Sequence, residues 1–254
     1  ERASAVGRGA VGGIVLNSAV GGANPDAVEV AARLGGRVVW MPTVSSATHK
    51  AGESNPELRV HQGFELSLVP VFEDRRLLGR WHDVLDVVAE HDLVLASGHL
   101  SADETCSLFA EASRRGVERL LVNHPMMAFL GWNEEARRLL LSVDARLELA
   151  ILPDILGGAA HSSMSLLEQY PHELLVFGAD LGHAHYPSPA QAIPTWLRDL
   201  ERRAGEDAAK AIVSTNGRTL LGLPEPPPDD RWSGAPAARD VAADLANPKM
   251  GGRT

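Results

Sequence analysis

The fold is decided by residues 93–125, which read LVLASGHLSADETCSLFAEASRRGVERLLVNHP. An apolar run, Leu93–Ser97, is followed by a Ser-x-x-Glu capping box at Ser101–Glu104, which is typical of a helix start. We predict that this helix ends at Gly116, because glycine tolerates the left-handed backbone that closes many helices. A second apolar run, Arg119–Asn123, follows at once. Strand, helix and strand in this order form the βαβ unit of a parallel sheet.

The same unit repeats along the chain. Apolar runs with little alternation of polar and apolar residues are typical of parallel strands buried on both faces. Six are predicted as strands: Gly13–Leu16, Arg37–Met41, Leu93–Ser97, Arg119–Asn123, Leu147–Leu152 and Leu174–Gly178. Helices are predicted between and after them at Ala27–Leu34, Trp81–Glu90, Ser101–Gly116, Asn133–Leu141, Ser162–Gln169 and Ala190–Arg203. The chain is therefore predicted to be an α/β protein with a parallel sheet.

One interval between strands is about twice as long as the others, which places an insertion at residues 44–80. Within it, Val44–Glu57 is polar and predicted to be a loop, whereas Phe64–Phe72 and Arg75–Leu78 are predicted to form a small hairpin. Insertions after a strand often cover an active site. We expect one domain over residues 1–223, followed by a Pro-rich tail at 224–254 that is flexible or draped over the domain or a partner.

Composition and charge exclude several classes of protein. The 254 residues are 44% hydrophobic and 22% charged, as in globular domains. A net charge of −9 argues against a nucleic-acid-binding protein, which usually has a basic face. The single cysteine, Cys106, excludes an internal disulfide and is expected to pack inside a helix. No run is long enough to span a membrane and residues 1–9 lack a leader's apolar segment, so a cytoplasmic protein is expected.

Three strands end in residues that bind metals. His99, His124 and Asp180 each come directly after a predicted strand. Because the carboxyl ends of parallel strands lie at one edge of the sheet, we expect these side chains to converge there. Imidazole nitrogen and carboxylate oxygen both bind divalent ions such as zinc, with manganese or iron as alternatives. The predicted site therefore has His99, His124 and Asp180 as metal ligands, with His124 and Asp180 also catalytic and Asp180 a general base.

Three further histidines are candidates for binding the substrate. His49 follows the second strand, His161 lies in the Gly-rich loop after the fifth, and His183 follows Asp180 closely. Each is on the side of the sheet where the site is expected. The glycine pairs lack the spacing of phosphate-binding loops, so no nucleotide cofactor is predicted.

Several of these segments resemble the amidohydrolase superfamily of metal-dependent hydrolases. GHLS at 98–101, VNHP at 122–125 and GAD at 178–180 are similar to its ligand motifs on strands five, six and eight, and NGRTLLGL at 216–223 is similar to its closing motif. GIVLN at 13–17, VGGANP at 20–25 and VWMPT at 39–43 resemble an amidohydrolase-like branch known only as a domain of unknown function. The resemblance covers about residues 10–223 and implies a distorted (β/α)8 TIM-like barrel that hydrolyses bonds with metal-activated water.

The sequence departs from that pattern at its start. The superfamily carries His-x-His on its first strand, but the only His-x-His here is His183–His185, after the last predicted strand. Six predicted strands are also two fewer than a (β/α)8 barrel needs. We therefore expect either a barrel in which one or two strand units lie outside this chain, or a protein that has lost them; an open six-stranded sheet is the alternative fold.

We expect a metal-dependent hydrolase of a small molecule with an amide, ester, lactone or related bond. Three alternatives stay open: a metal-dependent decarboxylase, a barrel-derived protein without catalysis that binds a ligand or serves in an assembly, and a doubly wound nucleotide-binding protein. The last lacks its Gly-rich motif. A homo-oligomer is compatible with the apolar residues after His124 and with the tail.

Overall fold

The structure is a computed structural model that describes residues 10–52, 58, 66–156 and 162–224. Its strands are, in chain order, β1 (Gly13–Val15), β2 (Val38–Trp40), β3 (Phe72–Glu73), β4 (Arg76–Leu77), β5 (Val94–Ala96), β6 (Arg119–Val122), β7 (Arg146–Ala150) and β8 (Leu175–Gly178). β3 and β4 form an antiparallel hairpin, and the other six form a parallel sheet in the order β1-β2-β5-β6-β7-β8. All six predicted main strands are confirmed.

Helices connect these strands. They are α1 (Pro25–Arg33), α2 (Ala47–Ala51), α3 (Gly79–Glu90), α4 (Ala102–Arg114), α5 (Glu134–Leu141), α6 (Leu152–Leu156), α7 (Pro189–Ala204), α8 (Glu206–Lys210) and α9 (Asn216–Leu220). The predicted capping box of α4 at Ser101 and Glu104 is confirmed. Asn24 and Asn133 likewise accept hydrogen bonds from backbone N–H groups of α1 and α5. Within the described ranges, no helix combines the length and apolar character needed to cross a bilayer.

Both faces of the sheet are buried, which explains why its strands read as continuous apolar runs. One face, with Val39, Leu95, Leu120 and Leu147, belongs to the large core that also contains buried residues of α1, α3, α4, α5 and α7. The other face has a smaller apolar cluster of strand residues covered by Leu220 of α9. The strands therefore lie between a thick helical layer on one face and α9 on the other.

Arg119 fixes α9 at the amino-terminal edge of the sheet. Its guanidinium binds both carboxylate oxygens of Asp92 at 2.7 and 2.8 Å. Nη1 also donates to the carbonyls of Thr219 and Leu220, at 2.8 and 3.0 Å, at the end of α9. The guanidinium thus satisfies carbonyl groups that a helix leaves unpaired at its carboxyl end. The opposite edge, where the strands end, is the one that carries polar cavity residues.

Three local predictions are wrong. The segment Val44–Glu57 is not wholly a loop, since it contains α2, whose N-cap Ser46 accepts a hydrogen bond from the His49 N–H. Ser162–Gln169 contains a 3-10 helix over Ser163–Glu168 instead of an α-helix. The hairpin is shorter than predicted, because its first strand spans only Phe72–Glu73; residues 59–65 and 225–254 lie outside the described part.

Candidate functional site

A polar cavity of about 350 Å3 lies at the carboxyl-terminal edge of the sheet. Its lining consists of Val15, Trp40, Thr43, Gly98, His99, Asn123, His124, Glu148 and Asp180. Register explains the convergence: Trp40 pairs with Ala96, and Ala96 pairs with Leu121, so neighbouring strands end nearly level. The structure therefore brings together His99, His124 and Asp180, the three residues predicted from strand ends.

His99 is held by a turn that requires glycine before it. Gly98 has a φ of +57°, and a Cβ there would lie 2.3 Å from the Met41 carbonyl oxygen. The backbone is fixed on both sides, because the Gly98 N–H donates to Asn123 Oδ1 at 3.1 Å and the His99 N–H donates to the Pro42 carbonyl at 3.0 Å. The buried His99 ring is thus placed by two neighbouring strand ends.

His124 is buried, and its backbone φ of +28° is one that residues with a Cβ rarely adopt. Its N–H donates to Glu148 Oε2 at 3.0 Å, and its ring centroid is 5.0 Å from that of His99. Among the described residues, His124 Nδ1 is a buried atom without a hydrogen-bond partner. Buried polar groups are nearly always satisfied, so an orphaned nitrogen at a cavity indicates a ligand site.

Glu148 is a site residue that the sequence analysis missed. Its Oε2 also accepts from Asn123 Nδ2 at 3.3 Å. Burial raises the pKa of Glu148, the nearby His124 lowers it, and the Asp180 charge raises it further. Gly178 on the neighbouring strand makes room for the carboxyl group, because a Cβ there would lie 1.9 Å from Glu148 Oε1. The sequence feature that could have identified Glu148 is an acidic residue inside an apolar run.

Asp180 completes the set of acidic groups. Its φ of +50° is again in the left-handed region, so backbone strain accompanies both His124 and Asp180. Although the residue as a whole is exposed, desolvation of its carboxyl group raises the pKa of Asp180, and His124 and His183 oppose that rise. Two carboxyl groups whose pKa is raised by burial thus share one cavity with two imidazoles.

The other predicted residues have different positions. His49 is buried on α2 and contacts His99 instead of lining the cavity. His183 lies near Asp180, on whose pKa it acts, and its ring meets Tyr186 edge-on. His161 lies outside the described residues. Cys106 is half-buried in α4, where burial raises the pKa of its thiol to about 11, so it packs as predicted and is a poor nucleophile.

The donor set suits a divalent metal, but its side chains are not arranged around one. Two imidazoles and two carboxyl groups line the cavity, and His124 Nδ1 is an unpaired donor atom within the described chain. Across the described ranges, no group of three or more His, Cys, Asp or Glu side chains is placed to hold an ion.

The raised pKa of Glu148 predicts how the stability of the metal-free protein depends on pH. The folded protein binds the Glu148 proton more tightly than the unfolded chain does. Protonation of Glu148 therefore contributes its full share to the free energy of unfolding below the unfolded pKa of about 4.3, and this share is lost as pH rises through the folded pKa. Glu148→Gln should remove this loss, worth about 1.4 kcal/mol per unit of pKa shift. Urea unfolding in EDTA between acid and neutral pH measures it. Exposed Glu118→Gln is the control, and a pH-independent Glu148→Gln difference would contradict the prediction.

Gly178→Ala should destabilise the protein through its clash with Glu148. Overpacking typically costs about 1–3 kcal/mol, and the clashing atoms belong to one side chain. The cost should therefore shrink in a Glu148→Ala background, which a double-mutant cycle measured by urea unfolding detects. Gly12→Ala, which has no neighbour within 4 Å of the added Cβ, is the matched control. An equal cost in both backgrounds would show that the clash is not with Glu148.

These features define an α/β protein with a six-stranded parallel sheet and a small polar cavity where its strands end. Residues 2–148 match the model of a family of unknown function, DUF6282. Because the match spans more than half of the chain, the protein belongs to this family. The matched segment contains His99 and His124 and ends at Glu148, whereas Asp180 follows it. A search of curated proteins found no match.

Proposed function

We propose that the protein is a metal-dependent hydrolase of a small molecule with an amide, ester, lactone or related bond. The observation that carries the proposal is that His99, His124 and Asp180, distant in sequence, line one cavity. Its volume of about 350 Å3 suits a small substrate. Trp40 and Val15 give the lining an apolar side, against which the part of the substrate that does not react can pack.

We also propose that the sheet is an arc of a (β/α)8 TIM-like barrel of the amidohydrolase type. Two observations support this. The strands follow chain order without the reversal that marks a doubly wound sheet. The buried residues of α1, α3, α4, α5 and α7 share one core on one face of the sheet, as the outer helical ring of a barrel does.

His99, His124 and Asp180 would hold the divalent ion, with zinc the first candidate and manganese or iron next. The unpaired Nδ1 of His124 is the observation that favours an ion or a polar substrate atom at this place. When bound, such an ion supplies Lewis acidity, which polarises a carbonyl and makes water nucleophilic near neutral pH.

The residues of the chain would perform the proton transfers. Asp180 would accept the proton of the attacking water at a carboxylate oxygen and return it to the leaving group. Glu148 accepts from the His124 N–H and the Asn123 amide, which fixes the backbone that carries the His124 ring. The Gly98–Asn123 hydrogen bond joins the two histidine-bearing turns.

A second candidate is a ligand-binding protein without catalysis. It is favoured by the Nδ1 of His124, unpaired within the described part of the chain, and the neighbouring Asn123 on the cavity lining, which suit a polar molecule without an ion. In that case the cavity would bind a small polar molecule through Asn123, His124 and Glu148 without chemistry.

Metal analysis tests the proposal. The full chain, incubated with zinc, manganese or iron(II) and desalted, should retain one of them in stoichiometric amount and hydrolyse members of a panel of lactones, esters and amides. A His99→Ala/His124→Ala variant should retain no metal, whereas His82→Ala/His91→Ala, which removes two histidines on and after α3, should behave as the parent. A native protein that binds none of these metals would overturn the proposal.

A further inference from the structure

His49 and His99 form a buried pair outside the set of predicted ligands. Their Nδ1 atoms are 2.8 Å apart, and the two rings lie edge to edge, with centroids 5.0 Å apart and planes 13° from parallel. Only 3% of His49 and 7% of His99 is exposed. Phe129 meets both rings edge-on, at centroid distances of 6.1 and 5.3 Å. The pair is therefore enclosed by neighbouring side chains rather than open to bulk water.

A contact between two Nδ1 atoms has a strict proton requirement. A neutral imidazole carries a proton on one ring nitrogen and a lone pair on the other. At 2.8 Å the contact is a hydrogen bond, so one Nδ1 donates and the other accepts. The two neutral rings must therefore be opposite tautomers. With Nδ1 engaged by His49, Nε2 is the second ring nitrogen of His99, a residue that lines the cavity.

The helix that carries His49 is tied to the His99 turn by further hydrogen bonds. Ser46 Oγ donates to the His99 carbonyl at 2.9 Å and accepts from the His49 N–H at 3.0 Å. Thr48 Oγ1 donates to Glu104 Oε2 at 2.9 Å, in the capping box that follows His99. The amino-terminal end of α2 is therefore held against this turn by two side chains, which places the His49 ring beside the His99 ring.

We infer that His49 is a positioning residue that accepts a hydrogen bond from His99 Nδ1–H, so that His99 Nε2 carries the lone pair on the side of the cavity. The choice of His99 as the donor and the role of its lone pair as a metal ligand rest on the proposed function, whereas the pairing of opposite tautomers rests on the Nδ1–Nδ1 contact alone. Histidines that bind metals characteristically donate their other ring N–H to a neighbouring acceptor, which fixes both orientation and tautomer.

Nitrogen NMR of the full chain in EDTA, with ¹⁵N-labelled histidine, tests the pairing without metal or substrate. Near neutral pH we expect His99 to be protonated on Nδ1 and His49 on Nε2. His49→Ala should remove the fixed tautomer of His99, and His49→Asn should restore it, because the Asn oxygen can take the place of the accepting Nδ1. His82→Asn, which changes a histidine on α3, should leave the His99 signals unchanged.

Zinc titration adds a second readout. His49→Ala should weaken zinc binding about 10–100-fold, the usual loss when the partner of a metal-bound histidine is removed, and His49→Asn should recover most of it. The predicted tautomers in a protein that binds no zinc would support the positioning role and overturn the proposed function. Zinc binding with His99 protonated on Nε2, or with His49→Ala and His49→Asn equally weak, would overturn the positioning role alone.

Discussion

Asp180→Asn is expected to slow hydrolysis about 10²–10⁴-fold, the usual contribution of general acid–base catalysis. Asp180 lines the cavity beside two imidazoles, and its carboxylate would be the acceptor of the proton from water. Asparagine keeps the size and one oxygen of the side chain but has no basic site. The variant should therefore still bind substrate while losing turnover.

Initial rates measure this effect on whichever lactone, ester or amide the zinc-loaded parent cleaves. Zinc content is determined in the same samples, so that loss of a ligand is separated from loss of a base. Asp83→Asn, on the exposed side of α3, is the matched control and should keep the parental rate. Equal rates for Asp180→Asn and the parent at equal zinc content would remove Asp180 from the proposed mechanism.

The sheet was predictable because its strands are buried on both faces. Runs such as Leu93–Ser97 and Arg119–Asn123 show no polar face, and their observed counterparts β5 and β6 begin or end within a residue of the predicted bounds. The convergence of His99, His124 and Asp180 followed from the same geometry, since parallel strands deliver their carboxyl ends to one edge. Sequence order and strand direction are enough to place these three residues.

The parts of the site that depend on tertiary packing were not predictable. Glu148 lies within β7 and reaches the cavity through the space that Gly178 leaves on β8, a contact between residues 30 apart in sequence. The His49–His99 contact joins residues separated by 50 positions, through a helix inside a polar segment. Short-range pattern does not specify such contacts. It also does not separate a 3-10 helix from an α-helix at Ser163–Glu168, because both bury residues three or four positions apart.

Trp81→Ala is expected to destabilise the protein by about 3–5 kcal/mol, the range for removing a large aromatic side chain from a core. Trp81 begins the buried face of α3 and is 1% exposed. Its Nε1 donates to the Pro70 carbonyl at 3.0 Å, so the ring also anchors the end of the insertion. The truncation leaves both a cavity and an unpaired carbonyl.

The residue before Pro70 connects the insertion to the helix α2 beside the site. The N–H of Val69 donates to the Ser45 carbonyl at 2.8 Å, and Ser45 lies directly before the cap of α2. Urea unfolding measures the loss of stability. Trp81→Phe, which keeps most of the apolar volume but not the N–H, should cost clearly less, and Leu34→Ala, at a residue 83% exposed, should change stability by less than about 0.5 kcal/mol. A Trp81→Ala cost no larger than that of Leu34→Ala would show that the insertion is not anchored through this ring.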